Sequence, residues 1–201
     1  MTARIESMMV LLLGIGTSIT ALAAPSDQQW HSLFNGKDLS GWTVKIAKRP
    51  LDENYAETFR VEDGVIKVSY DGYDKFDGQF GHLYTNQPYS NYVLRLEYRI
   101  TGKAIEDAPH WAKLNSGIMI HSQSPLSMEL NQPFPTSMEL QFLAVGATAG
   151  RQTGNVCTPG TNVEMKGKLV THHIIDSTSK LYPLEEWITA QVEVRGNEEV
   201  V

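Results

Sequence analysis

An all-β sandwich is the fold class that this sequence predicts, and three observations predict it. Short runs alternate apolar and polar side chains, the period of a strand with one face on a core and the other toward water. Gly, Pro, Asn and Asp punctuate those runs at the close spacing of sandwich strands. No long segment carries helical periodicity.

The elements follow in order. In "TFRVEDGVIKVSY", Phe59–Val61 and Val65–Ser69 flank Asp63-Gly64, a pair suited to a tight hairpin. "GHLYTN" (81–86) is a short strand. "NYVLRLEYRIT" (91–101), "SGIMIHSQ" (116–123) and "SMELQFLA" (137–144) alternate strictly. "LVTHHIID" (169–176) and "WITAQVEVRG" (187–196) are two further strands. Between them run "AIEDAPHWAKLN", "SPLSMELNQPFP" and "GRQTGNVCTPGTNVEMKG", loops too long and polar to be mere connectors. Long loops on an antiparallel scaffold are where binding residues gather.

The length of 201 residues fits one domain with a real core. Hydrophobic content of 41% and charged content of 20% are globular values. The net charge of -6 argues against nucleic acid, which calls for a basic face. The N-terminus reads as a signal peptide over residues 1–23. Arg4 precedes the apolar run "MMVLLLGIG", and Ala21 and Ala23 fill the small positions before a cut after Ala23. Residues 24–201 are then the mature domain, exported to the periplasm or beyond the cell. No later run is long enough to span a bilayer. At the other end, "VEVRGNEEVV" reads as a strand, a turn at Gly196-Asn197 and the start of a return strand. The expectation is that the last strands of the domain lie beyond it, because such a hairpin leaves a sheet edge open. Cys157 is the sole cysteine, so no internal disulfide forms. It sits among turn residues with no established His partner, the setting of an inert thiol.

Alternation assigns faces directly. Arg95, Glu97 and Arg99 share one face of 91–101, opposite Leu94, Leu96 and Tyr98. Asn115, Gly117, Met119 and His121 share a face, as do Glu139 and Gln141. Were these three strands neighbours with polar faces aligned, they would make the floor of a polar cleft, with Gly117 leaving room for a ligand. The alternative is an ordinary cross-strand ladder of ion pairs.

"WHSLFNGKDLSGWTV" (30–44) resembles the opening signature of the 3-keto-disaccharide hydrolase family. "NYVLRLEYRI", "NSGIMIHSQS" and "SMELQFL" resemble its central sheet, "FRVEDGVIKV" its early hairpin, and "EEWITAQVEVRGN" its late strand. The similarity covers about residues 30–201. It implies a concanavalin-A-like jelly roll of two antiparallel sheets with long loops, and it favours the cleft. Relatives of that fold include β-glucanases with paired catalytic carboxylates, but here Glu139 is followed by Gln141, so the second acid is missing from this strand. The family is thought to cleave 3-keto-glycosides. The ketone acidifies the neighbouring C–H, so one base and an enolate-stabilising group suffice. Many members carry Arg where this chain has His121.

The expected roles follow. Glu139 is general base or metal ligand, and His121, with its imidazole, an acid/base partner or ligand, or else a histidine satisfied on a sheet face. Gln141 bonds the sugar, Asn115, Arg95 and Glu97 position it or brace the floor, and Arg95 is able to polarise the ketone. His110 and Trp111 form a wall on which a sugar ring stacks, or equally an anchor for their loop. A divalent metal is compatible with this set without being required by it. His172 and His173, adjacent on a strand, face opposite ways and offer one ligand at most. Asp71, Asp74 and Asp77 lack calcium-loop spacing and read as turn residues. Two functions are open: an exported carbohydrate-active hydrolase, or a non-catalytic carbohydrate-binding module. The titratable cluster favours the enzyme.

Overall fold

A computed structural model describes residues 2–8, 30–147, 151–196 and 199–200. Its strands are β1 (Thr2–Met8), β2 (Trp30–Ser32), β3 (Trp42–Ile46), β4 (Phe59–Glu62), β5 (Val65–Val68), β6 (Gly81–Thr85), β7 (Asn91–Arg99) and β8 (Asn115–Ile120). They continue as β9 (Met138–Leu143), β10 (Val156–Cys157), β11 (Val163–Met165), β12 (Lys168–Val170), β13 (Ile174–Ile175), β14 (Ile188–Arg195) and β15 (Glu199–Val200). Short 3-10 turns are the only helical elements among the described residues. The all-β expectation holds.

The Asp63-Gly64 turn joins β4 to β5 with both residues at positive φ, 50° and 74°, the backbone of a tight two-residue hairpin. The largest sheet has seven strands in the order β15-β14-β7-β1-β5-β4, with β2 also pairing β1. A second sheet runs β13-β10-β9-β8, and β3 pairs β6 separately. All these strand pairs are antiparallel.

Register shows how the layers stack. Ala3 faces Tyr98 of β7 on one side and Ile66 of β5 on the other, so these positions share one face of the large sheet. That face carries two apolar stacks. Leu96 and Tyr98 of β7 and Val192 and Val194 of β14 pack with Ile118 and Ile120 of β8 and Phe142 of β9. Phe59 of β4 and Val68 of β5 pack with Val44 and Ile46 of β3 and Leu83 of β6. The molecule is therefore a two-layer sandwich whose second layer is in two pieces. Between the pieces, the edges of β6 and β8 line one cavity of about 1940 Å³.

Two sequence readings are corrected. Residues 169–176 are not one strand: β12 belongs to a separate hairpin with β11, while β13 pairs β10. Gly167 (φ 74°) turns the hairpin, and the pattern "LVTHHII" conceals the break at Thr171–His173. More consequentially, 91–101 does not neighbour 116–123 or 137–144; it lies in the opposite layer. Of the residues expected to be a signal peptide, 1 and 9–23 lie outside the described residues, and the backbone of 2–8 pairs with β7, β5 and β2. No described helix is long and apolar enough to cross a membrane.

The layers meet at Tyr98 and Phe142, whose rings stack 3.9 Å apart at 10° and are 1% and 2% exposed. Phe142→Ala is expected to cost about 3–5 kcal/mol through lost burial and the cavity left behind. Urea denaturation checks this, read as a lower midpoint at an unchanged slope.

Candidate active site

The site is built on the face of β8 and β9 that points away from the core. Antiparallel pairing sets Met119 opposite Glu139, Gly117 opposite Gln141, and Cys157 of β10 opposite Glu139 on its other side. Glu139 is thus flanked by a thioether and a thiol, and beneath it lies a glycine. A Cβ at Gly117 would come within 2.5 Å of Glu139 Oε1 and 2.7 Å of the Leu140 carbonyl. The space that Gly117 leaves is taken by the Glu139 carboxyl rather than held open for a ligand.

Burial in this setting pushes the Glu139 carboxyl up to about 7, against the partial restraint of the Arg151 charge and a hydrogen bond from Cys157. The Cys157 thiol is buried and pushed up to about 12, by burial first and by the Glu139 charge second. It stays protonated at neutral pH and acts as a donor to the carboxylate, not as a nucleophile.

Arg151 is the cation of the site, and alternation could not find it, because it lies in the irregular loop after β9. Its Nη1 donates to Gln141 Oε1 at 3.4 Å. Gln141 is itself 3% exposed, and the same oxygen accepts from Asn155 Nδ2 at 3.3 Å. Its main chain is tied to residues 154 and 155 through Gln141 N–H to Asn155 O (2.8 Å) and Gly154 N–H to Gln141 O (2.7 Å). Gln141 therefore holds the Arg151 loop against β9 through its Oε1 and its main chain.

Arg95 and Glu97 are not part of this constellation. Both lie on the exposed face of β7, in the other layer. The Arg95 guanidinium donates twice to Gln191 Oε1, at 3.0 and 2.8 Å, and stacks 4.5 Å over the Trp30 ring. His121 lines the cavity, but β8 ends at Ile120 and His121 is exposed with φ at 48°. Its side chain does not follow the strand's alternation. Asn115 lines the cavity beside Gly117, and so does Trp111, from the 3-10 turn before β8. His110 in the same turn is exposed and is not among the lining residues.

The β6 wall adds His82, which the sequence showed only as a strand position. Its Nε2–H donates to the Pro133 carbonyl at 2.7 Å, and burial, with Lys45 nearby, holds its pKa below the usual value. Lys45 is opposite His82 in register and 2% exposed, its ammonium donating to the carbonyls of Ile46, Arg49 and Leu130. This cation pins the loop 124–135 to β3. His173 reaches the cavity rim, and no group of three or more His, Cys, Asp or Glu side chains is placed to hold a metal among the described residues. Asp77 pairs with Lys48 at 2.8 Å and Asp71 with Arg60 at 3.4 Å, as turn residues do.

One comparison with known proteins is positive. The family model described as the 3-keto-alpha-glucoside-1,2-lyase-like domain matches residues 29–201. No curated protein and no solved structure matches the chain.

The raised Glu139 pKa has a thermodynamic consequence. An ordinary glutamate titrates at 4.5, so between pH 4.5 and 7 the folded protein binds more protons at this site than the unfolded chain. Stability falls as pH rises through that window, and the full penalty persists above it. Glu139→Gln removes the penalty, and is expected to stabilise the protein at pH 8 by up to about 3 kcal/mol. The gain should vanish below pH 4.5; thermal unfolding at pH 4 and pH 8 reads the difference.

Proposed function

The chain belongs to the 3-keto-alpha-glucoside-1,2-lyase-like family, and from that premise we propose that it cleaves the glycosidic bond of a 3-keto-glycoside, with Glu139 as the base. The observation that carries this reading is a single carboxyl with its pKa raised to about 7, beside the cation of Arg151, in a large cavity. One carboxylate with one cation suits elimination next to a ketone, whereas a two-carboxylate displacement needs a second acid.

In the proposed sequence, the Glu139 carboxylate takes the proton from the carbon between the ketone and the anomeric carbon. The C–H electron pair moves into an enolate whose oxygen faces Arg151, which stabilises charge that exists only after proton transfer. Collapse of the enolate forms the C1–C2 double bond and breaks the bond from C1 to the glycosidic oxygen. That oxygen leaves as a hydroxyl, taking a proton from Glu139 or from His121 at the cavity wall. Water then adds across the double bond, its hydroxyl to C1 and its proton to C2, and releases the 3-keto sugar. Cys157 keeps the carboxylate oriented throughout.

Export is part of the proposal. The order of residues 1–23, charged then apolar then small, supports a signal peptide cut after Ala23, with work in the periplasm or outside the cell. Mass measurement of the N-terminus of the secreted protein tests it, and an intact Met1 in that fraction would refute the cut.

The catalytic reading is tested on a 3-keto-glucoside. Glu139→Gln should lower kcat by about 10²–10⁴-fold while substrate binding persists, as expected for loss of a general base. Arg151→Ala should cost about 10²–10³-fold, the usual worth of an oxyanion partner. Wild-type kcat/KM should rise with pH through an acid limb near 7, where Glu139 loses its proton. Unchanged turnover in Glu139→Gln would remove the assignment. Carbohydrate binding without turnover by the wild-type protein would make it a binding module instead.

A further inference from the structure

The proposed reaction leaves one proton without a carrier. When His121 serves the departing oxygen, Glu139 still holds the proton it took from C2. The water that adds to C1 must then give its own proton to another base. That base needs a free lone pair at neutral pH and a place on the cavity wall facing Glu139.

His82 has that place. Leu83 turns inward to the stack of Val44 and Ile46, so alternation turns His82 and Tyr84 outward, onto the cavity. Gly117, Met119 and Glu139 take the same outward direction from β8 and β9. Two contacts bracket His82 along the cavity. On one side of it, the Phe80 ring stacks on Trp111, just before β8, with centroids 5.4 Å apart at 14°. On the other, the Tyr84 hydroxyl hydrogen-bonds Ser122, just after β8. β6 and β8 therefore run in the same direction along the two walls. His82, midway between Phe80 and Tyr84, stands across from the middle of β8, where Gly117 and Met119 adjoin the Glu139 carboxyl.

Hydrogen bonding fixes which nitrogen is the base. A carbonyl only accepts, so the 2.7 Å bond to Pro133 puts the ring hydrogen on Nε2. The neutral ring then carries its lone pair on Nδ1. That atom has no partner among the described residues and is not sealed from the cavity. Phe134 stands edge-on to the imidazole, 5.7 Å away at 71°, and limits its rotation. Burial and the Lys45 charge favour the neutral form. The other imidazoles on the cavity, His121 and His173, are exposed, and no hydrogen bond holds either ring among the described residues.

We propose that His82 is a second acid–base group of the site, and that its Nδ1 takes the proton of the water adding to C1. The water oxygen bonds to C1 as its proton passes to Nδ1. The C1–C2 π pair moves between C2 and C3, and the ketone oxygen takes the enolate charge, facing Arg151. The enolate pair then takes the Glu139 proton at C2, which completes the 3-keto sugar. The proton that His82 gains equals the one that His121 gave to the leaving oxygen, and exchange with water restores both rings. This role deepens the lyase reading and rests on it for the bond that is cleaved.

The test supplies the intermediate directly, as the cyclic enone prepared by chemical elimination from a 3-keto-glucoside. Its hydration is followed by loss of ultraviolet absorption and compared with release of the aglycone from the 3-keto-glucoside. The ratio of the two rates is insensitive to loss of folded protein, since both report on the same active fraction. His82→Gln keeps an N–H for the Pro133 carbonyl but has no base. It should lower the ratio by about 10²–10⁴-fold, the worth of a general base, and enone should accumulate during turnover of the glycoside. Added imidazole should restore hydration in His82→Ala, which a merely structural role for the ring would not allow. An unchanged ratio, a lowered one that imidazole leaves where it was, or a wild-type protein that does not hydrate the enone overturns the role. A wild-type protein that hydrates the enone but releases no aglycone defeats the lyase reading alone. His82 is then judged on the hydration rate and its rescue by imidazole.

Discussion

A slip of β9 by one residue against β8 would turn Glu139 and Gln141 into the sandwich and set Leu140 and Phe142 on the cavity face, because strand side chains repeat with period two. The apolar half of the strand forbids the slip. Phe142 is stacked on Tyr98 of the opposite layer, and Ile118 and Ile120 of β8 join the same core. Core packing on one face thus fixes the chemistry on the other. It places Glu139 between Met119 and Cys157 and over Gly117, so the carboxyl enters a setting that resists ionisation. The raised pKa follows from register and glycine together, with no charged neighbour needed to force it up.

Behind the carboxyl stands a polar support that the core also holds. Thr153 Oγ1 accepts from the Leu143 N–H at 3.1 Å and meets the Tyr98 hydroxyl at 3.3 Å. The Ser177 N–H donates to Asn155 Oδ1 at 2.9 Å, and Asn155 in turn donates to Gln141. Asn155 is fully buried, so each of these groups is costly to strand without a partner. The chain from Tyr98 through Thr153 to the loop after β9 carries the sandwich's rigidity to Arg151. A loop cation held this way can face a developing negative charge without reorganising, which is the condition for electrostatic stabilisation.

How far the sequence disclosed this depends on what period-two patterns encode. They assign each side chain to a face, so Asn115 and Gly117 were legible as one polar face and Glu139 as part of another, and their apolar partners as core. They say nothing about which strands are neighbours. Arg95 and Glu97 alternate as cleanly as Glu139 and Gln141, yet pairing with β14 and β1 puts them on the far layer. Arg151 carries no periodic signal, because an irregular loop has none. His82 gains its partner from Pro133, 51 positions away in the chain, a contact that only the closed fold creates. Gln141 was assigned to the polar face of its strand, and a face does not reveal that Asn155 and Arg151 converge on its amide.

The same separation of layers bears on export. The backbone of β1 lies between β7 and the β5–β2 side of the large sheet. The proposed cut after Ala23 would remove that strand and bare two edges at once, an arrangement that invites another strand to pair there. The groups that act on substrate in the proposed mechanism all come from the other layer, from β8 through β10 and the loop that Gln141 anchors. Loss of β1 would reach Glu139 only through Tyr98 and Phe142, the stack that joins the layers. β14 pairs with β7 along the edge opposite β1 and contributes Val192 and Val194 to the same core, so the Tyr98 side of that stack keeps its neighbours. The proposed cut and the proposed chemistry therefore fall on different strands, and the one would not dismantle the other.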